Sequence, residues 1–292
     1  SRAGAVNATQ TTVTVSPTSV AASRTSPATV TVTARDGFGN PVAGVPVTLS
    51  ATGAGNTIVQ PTVVTNANGV ATGSIGATVS GTRTISATVN GVLATATPTL
   101  TVVAAPASAL LFTTSPLDGV AGEDLTPSPA VGVVDSLGNR NLTFTGTVTL
   151  GIGNNAGAGT LSGSTSRSAV AGVATFPGIA IDKAGTGYTL AATSAGVTAA
   201  VSDAFSLSAG LVDGAQSSIS ASPTSIVAGS GTSTITVTAR DLNGNPVAGA
   251  TVELSATGSG NTLTQPLGVT DASGVATGSL SASITGARTI SA

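Results

Sequence analysis

A long internal repeat is the feature that most constrains the fold of this chain. The segment ARDGFGNPVAGVPVTLSATGAGNT, residues 34–57, returns as ARDLNGNPVAGATVELSATGSGNT, residues 239–262, with 18 of 24 positions identical by direct count. The match continues into a shared GVATGS that begins at Gly69 and at Gly274. A repeat of this length indicates that one structural unit occurs at least twice in the chain.

The repeat divides the 292 residues into an arm and three units. We place an N-terminal arm at 1–10, domain A at 11–104, domain B at 105–209 and domain A′ at 210–292. Domain B is less similar, but it carries the same D-x-x-G-N motif, which begins at Asp36, Asp135 and Asp241 in the three units. Units of roughly 100 residues have the usual size of single domains.

Domain A′ stops before its repeat is complete. Its last residues, 288–292, correspond to 83–87, after which domain A continues through 88–103. We therefore expect domain A′ to lack its last strand and to leave a sheet edge unpaired. Either a continuation of the chain or a strand from a neighbouring molecule would cover that edge. The second alternative would bring together five residues near the two ends: Ala3, Ala5, Val6, Ile290 and Ala292.

Apolar residues alternate with Thr, Ser and Pro along the repeat, with a period of two. Val30, Val32 and Ala34, for example, point one way while the Thr residues between them point the other. This period is typical of strands that bury one face. Hydrophobic residues make up 40% and aromatic residues 2% of the chain, so the cores must consist of aliphatic side chains. About seven short strands in domain A, the last over 92–103, predict an all-β chain of tandem immunoglobulin-like antiparallel β-sandwiches, the third incomplete.

The only tyrosine, Tyr188, stands at the start of a late strand of domain B. It is similar to the tyrosine corner of immunoglobulin-like sandwiches, whose hydroxyl bonds to the backbone a few residues upstream. The alternative is an ordinary strand aromatic.

Three motifs together resemble a known family. TVTARD, followed by GNPVAG, occurs in both A-type units, as do the later GVATGS and RTISA. The combination resembles the bacterial Ig-like repeats of the invasin–intimin type; it covers domain A fully and domain A′ to its last residue, and domain B resembles a second bacterial Ig-like variety. The resemblance implies rod-like tandem arrays outside the cell or on its surface, used as stalks, adhesins or fibres. The adhesive tip domains of invasins have no counterpart in this sequence.

The D-x-x-G-N motifs are the best candidates for a binding site. Oxygen atoms of Asp and Asn are suitable ligands for Ca²⁺, but each motif supplies one carboxylate where six to eight oxygens are needed. The alternative is a turn that the Asp closes by accepting backbone N–H groups. We expect no metal or cofactor, and the weak Ca²⁺ candidates are Asp36, Asn40, Asp135, Asn139, Asp241 and Asn245.

Composition argues against several function classes. The chain has no His and no Cys, which excludes His-based catalytic triads, thiolate chemistry and metal sites with nitrogen or sulfur ligands. Lys183 is the only lysine and the net charge is −2, so the sequence does not match nucleic acid. No uninterrupted apolar run reaches the length of a membrane span. We expect a protein without enzymatic activity.

We therefore expect a structural segment of an extracellular bacterial fibre or surface stalk, whose units are joined end to end and whose main partners are neighbouring copies. The alternative is an adhesin or carbohydrate-binding surface module that recognises a glycan or protein on a host or other cell. Carbohydrate binding is usually supported by exposed aromatic residues, and Phe38 is the one aromatic in a turn motif; Asn243 replaces it in domain A′.

Overall fold

The computed structural model describes residues 4–25 and 27–292, and within them all regular secondary structure is β-strand. This confirms the predicted all-β class. Side chains along the strands alternate between buried and exposed, as in β1 (Thr12–Ser16), where Val13 and Val15 are buried between exposed neighbours. No described segment is a helix long and apolar enough to cross a membrane.

Domain A is a sandwich of two sheets. Beside β1 its strands are β2 (Ser19–Ala21), β3 (Ala28–Thr33), β4 (Val47–Ala51), β5 (Asn56–Val59), β6 (Val70–Ala77), β7 (Gly81–Val89), β8 (Val92–Leu93) and β9 (Thr99–Val103). One sheet has the order β1-β3-β6-β5 and the other β2-β9-β7-β4, with β8 paired to β7. All pairs are antiparallel except β2 with β9. Twenty buried aliphatic residues form the core between the sheets.

The predicted single strand over 92–103 is wrong. The structure divides it into β8 and β9, separated by a segment that includes Pro98, which has no N–H for a sheet ladder. The carbonyl of Pro98 still accepts a hydrogen bond from Ile85 N–H at 2.9 Å. The short β2 was also missed, because a strand of three residues offers little alternation to detect.

Domain B is built from shorter strands around a more aromatic core. They are β10 (Ala109–Thr114), β11 (Gly119–Val120), β12 (Ala130–Val134), β13 (Thr147–Ile152), β14 (Leu161–Ser162), β15 (Ser166–Ser168), β16 (Val173–Thr175), β17 (Ala180–Ile181), β18 (Gly185–Tyr188), β19 (Leu190–Thr193), β20 (Ala200–Val201) and β21 (Phe205–Ser208). The sheet orders are β10-β12-β16, β11-β21-β18, β15-β13-β19-β20 and β14-β17. Tyr188 and Phe205 stack in the core, with ring centroids 6.0 Å apart.

Domain A′ reproduces one sheet of domain A and little of the other. Its strands are β22 (Ser218–Ser222), β23 (Thr232–Thr238), β24 (Ser255–Ala256), β25 (Asn261–Thr264), β26 (Val275–Ala282) and β27 (Ile290–Ser291). The order β22-β23-β26-β25 matches β1-β3-β6-β5, but only the β24-β27 pair represents the second sheet. Among the described residues, four buried side chains form its core cluster.

Candidate functional site at the joints between units

The D-x-x-G-N turn of domain A is closed by the carboxylate of Asp36. Its Oδ1 accepts hydrogen bonds from the backbone N–H groups of Phe38 and Asn40, both at 2.9 Å. Its Oδ2 accepts one from Gly4 N–H at 2.9 Å, and the side-chain amide of Asn40 donates to the same oxygen at 3.1 Å. Gly39 has a φ of 81°, a conformation that favours glycine. The turn therefore holds the N-terminal arm as well as itself.

The same carboxylate arrangement occurs at the start of the other two units. Asp135 Oδ2 accepts a hydrogen bond from Ala105 N–H at 2.9 Å, and Asp241 Oδ2 accepts one from Gly210 N–H at 2.8 Å. Ala105 and Gly210 lie in the linkers that enter domains B and A′. Each Asp thus fastens the segment that leads into its unit, which fixes the direction of that segment relative to the turn.

The Asn at the end of the motif reaches into the preceding unit. At the joint between domains A and B, the Asn139 side-chain amide donates to the carbonyl oxygen of Thr78 at 2.9 Å. The Asn139 side-chain oxygen accepts a hydrogen bond from Ser80 N–H at 2.8 Å. Thr78 and Ser80 belong to the loop between β6 and β7. One carboxamide therefore bonds to a backbone C=O and to a backbone N–H of the same loop in the neighbouring unit.

The joint between domains B and A′ repeats these contacts in the same positions. The Asn245 side-chain amide donates to Asp182 O at 3.0 Å, and its side-chain oxygen accepts a hydrogen bond from Ala184 N–H at 3.0 Å. The loop 182–184 connects β17 with β18 and corresponds to 78–80 in domain A. Lys183, between the two bonded residues, donates from Nζ to Asn243 O at 2.6 Å.

The third residue of the motif differs among the three units. Leu137 packs against the hydrophobic core of domain A, and Asn243 donates from its side chain to Ala121 O at 3.4 Å. Both therefore contact the preceding unit. Phe38, the corresponding residue of domain A, is 94% exposed.

Hydrogen bonds hold all three motif carboxyl groups in their charged form. The backbone N–H of Gly4, then the Asn40 side chain, lower the pKa of Asp36 from 3.8 to about 2. Burial by itself raises the pKa of Asp135 and of Asp241, but hydrogen bonds from Asn139 and Asn245 and from backbone N–H groups outweigh it, so both pKa values are lowered. A carboxylate that accepts several N–H bonds is stabilised relative to the neutral acid.

The surroundings of these carboxylates are unlike a Ca²⁺ site. The ion requires six to eight oxygen ligands, whereas both oxygens of Asp36 face N–H donors, as do those of Asp135 and Asp241. No group of three acidic residues that could hold a metal occurs in the described part of the chain. This chemistry favours the turn-closing interpretation of all six candidate residues.

The residues predicted for self-association lie in different environments. Ala5 is exposed, whereas Val6 packs against the core of its own domain and forms an isolated bridge with Asp36. Ile290 is half-buried beside the core of domain A′, and Ala292 is exposed. Ala3 lies outside the described residues. Among the described residues, no hydrogen bond or strand pairing joins 4–10 to Ile290 or Ala292, and the association stays a prediction.

The sequence did not reveal that the motif acts between units. The missed residues are the loop partners Thr78, Ser80, Asp182 and Ala184, which contribute backbone atoms and therefore carry no side-chain signal. One indication was available: domain B diverges from domain A over most of its length, yet it retains the complete motif.

Tyr188 supports one of these loops. Its hydroxyl donates to Lys183 O at 3.0 Å, five residues upstream, and its ring is fully buried. This is the hydrogen-bonding pattern of a tyrosine corner. In domain B the corner holds the loop 182–184 that Asn245 contacts.

Two segments of the chain, 10–103 and 216–292, match the sequence model of the bacterial Ig-like domain (group 1). No curated protein has a sequence that matches. Among solved structures, the adhesin FdeC of Escherichia coli is 22% identical, with 96% of this chain and 90% of that chain aligned at a TM-score of 0.57. InvD of Yersinia pseudotuberculosis is 20% identical over 98% of this chain and 83% of its own, at a TM-score of 0.48. Invasin, a bacterial integrin-binding protein, is 19% identical over 96% of this chain and 56% of its own, at 0.44.

Proposed function

Because this chain belongs to the family of bacterial Ig-like domains (group 1), we propose that it is a stalk segment of a bacterial surface adhesin. It lies outside the cell, has no enzymatic activity, and holds another part of the adhesin away from the surface. FdeC, which shares the fold, is an Escherichia coli adhesin. The absence of His and Cys from the sequence supports a non-enzymatic role.

The observation that carries this proposal is the repetition of one joint. Asn139 and Asn245 each form two hydrogen bonds with the equivalent loop of the preceding unit, although domains A and B differ in sequence. Contacts between successive units are what give a tandem array its direction, because each unit touches only its neighbours. A joint that fixes both a loop and a linker resists bending and would keep a stalk extended.

Distance measurements between spin labels test the rigidity. The chain has no native cysteine, so Val63→Cys in domain A and Val170→Cys in domain B, both exposed, give one label per unit. We expect a single narrow distance distribution that broadens in Asn139→Ala. Asn66→Ala, which removes hydrogen bonds within the Asn66–Val70 turn only, should leave the distribution narrow. A broad distribution in the parent chain would contradict the stalk function.

We further propose that domain A′ accepts a strand beside β27, from a continuation of the chain or from a neighbouring copy. A groove of about 530 Å³ lies there, and its apolar lining includes Ile226, Leu280, Ile284 and Ile290. The equivalent position in domain A is occupied by β9, whose Leu100 and Val102 are buried at 0% and 2% exposure. A donor should therefore present two apolar residues separated by one polar residue.

The arm is a poorer donor than a strand of the β9 kind. Val6 already packs on its own domain, so a neighbouring copy would first have to lose that contact. A peptide with the sequence of residues 88–103 is the direct probe. We expect it to bind the chain with one-to-one stoichiometry and to slow amide exchange in β26, whereas the same peptide with Leu100→Asp should not. Concentration-dependent assembly without peptide, abolished by deleting residues 1–10, would instead support donation of the arm.

A further inference from the structure

The chain has three equivalent poles, and within the described residues two of them, those of domains B and A′, contact a preceding unit. Each pole consists of the D-x-x-G-N turn and the linker held by its Asp. The pole of domain B receives the loop 78–80, and the pole of domain A′ receives the loop 182–184. The pole of domain A has the same turn with the same internal hydrogen bonds. It therefore has the geometry with which the other two poles receive a loop.

The hydrogen-bonding capacity of the open pole is only partly used. Asn139 and Asn245 are buried at 7% and 3% exposure, whereas Asn40 is exposed. The Asn40 side-chain amide is oriented by both oxygens of Asp36, at 3.3 and 3.1 Å. Among the described residues no donor reaches its side-chain oxygen, the atom that in Asn139 and Asn245 accepts a loop N–H.

An apolar side chain stands beside this carboxamide. Phe38 is 94% exposed, whereas Leu137 at the same motif position packs against the core of the preceding unit. Aromatic residues are frequent among those that contribute most to protein interfaces. Phe38 offers an apolar side chain where Leu137 makes the apolar contact of the joint between domains A and B. Asn40 offers the carboxamide that Asn139 and Asn245 use at the two joints.

We propose that this pole is a docking surface for a second Ig-like unit of the domain B kind, which it receives through a loop equivalent to 182–184. The inference rests on the proposed stalk function. The occupant is chosen from the joint between domains B and A′, where a B-type loop meets an A-type pole. There Lys183 bonds to the main-chain oxygen of Asn243, an atom that Phe38 also offers. Domain A has Phe38 where domain A′ has Asn243, and this difference in side chain leaves the main-chain oxygen free to accept a lysine hydrogen bond.

An extended chain tests the proposal. A copy of residues 105–209 is placed directly before Gly4, which reproduces the junction between Ala209 and Gly210. The readout is hydrogen exchange at the amide of the added alanine that corresponds to Ala184. We expect it to exchange as slowly as Ala184 itself, and Asn40→Ala to accelerate it roughly tenfold, the effect of one hydrogen bond. Phe38→Asn, which installs the residue of domain A′, should keep the protection.

The natural Ala184 serves as a control within the same molecule. Fast exchange at the added alanine, unchanged by Asn40→Ala while Ala184 stays protected, would overturn the docking proposal and leave the stalk function standing. Fast exchange at both alanines would contradict the stalk function itself. Concentration-dependent protection of the Asn40 side-chain amide in the unextended chain would also overturn the choice of occupant, because a second copy would then fill the pole through its loop 283–285.

Discussion

Domains A and A′ share long matching segments of sequence but have different cores. Among the described residues, twenty buried aliphatic side chains form the core cluster of domain A and four form that of domain A′, although the sheets β1-β3-β6-β5 and β22-β23-β26-β25 have the same order. The repeated segments therefore determine their own local structure. The core depends in addition on β9, although this strand supplies only Leu100 and Val102 to the core cluster of domain A. Burial is a cooperative property of both sheets, since each apolar face needs the other to exclude water.

Local contacts that are present in both domains show that local structure and core burial are independent of each other. Arg83 Nε donates to Asn56 Oδ1 at 2.7 Å, and Arg288 Nε donates to Asn261 Oδ1 at 2.6 Å. Arg83 is 3% exposed, whereas Arg288 is only half-buried. The same hydrogen bond thus forms with and without the last strand, and what changes is its access to water.

The largest effect is expected from completing domain A′. Extending the chain by residues 88–103 after Ala292 should add β8 and β9 and bury the counterparts of Leu100 and Val102. Two such side chains contribute roughly 3–6 kcal/mol to the free energy of unfolding of this domain, at about 1.5–3 kcal/mol each. Hydrogen exchange followed by mass spectrometry should show β26 becoming as protected as β6. An extension of equal length with Asp at both apolar positions is the control and should give no gain.

A single side chain compares the two cores at the same register. Ile85 is 1% exposed, whereas Ile290, in the same RTISA motif, is half-buried. We expect Ile85→Ala to destabilise domain A by about 2–5 kcal/mol and Ile290→Ala to destabilise domain A′ by roughly 1 kcal/mol. Exchange rates of each domain, measured on the full chain in denaturant, report the two values separately. Equal losses would mean that domain A′ has a better core than its burial indicates.

The loops between the sheets offer a smaller effect. Ser80 N–H is bonded to Asn139 of the next unit at 2.8 Å, whereas the corresponding loop 283–285 of domain A′ is exposed. Asn139→Ala should make the Ser80 amide exchange like that of Thr285, a change of about 0.5–1.5 kcal/mol. Asn66→Ala is the matched control in the same domain. If Ser80 stays protected in Asn139→Ala, the loop is ordered by domain A alone and the joint is weaker than its geometry suggests.

The sequence was sufficient for the fold class, because that class depends on alternation and repetition. It placed the turn at Asp36 and Gly39 correctly, since such turns are encoded by their own residues. It could not find the joint, because the partners of Asn139 are backbone atoms of a loop 59 to 61 residues away. It also could not separate β8 from β9, where tertiary pairing with β7 and β2 decides the strand ends.

Acid provides the last comparison between domains A and A′, and the smallest expected difference. The pKa of Asp36 is lowered from 3.8 to about 2, and that of Asp241 is also lowered. Because the folded state favours the charged form, each carboxylate stabilises its turn fully above pH 3.8, and this stability is lost as the pH falls toward the folded pKa.

Carboxyl resonances followed by NMR should titrate below 3.8 in both domains, and the amides of Gly4 and Gly210 should lose protection in parallel. Asp36→Asn should remove the pH dependence at Gly4 alone. A normal pKa for Asp241 would show that the turn, like the core, requires a complete domain, and local structure would then not be independent of the missing strand.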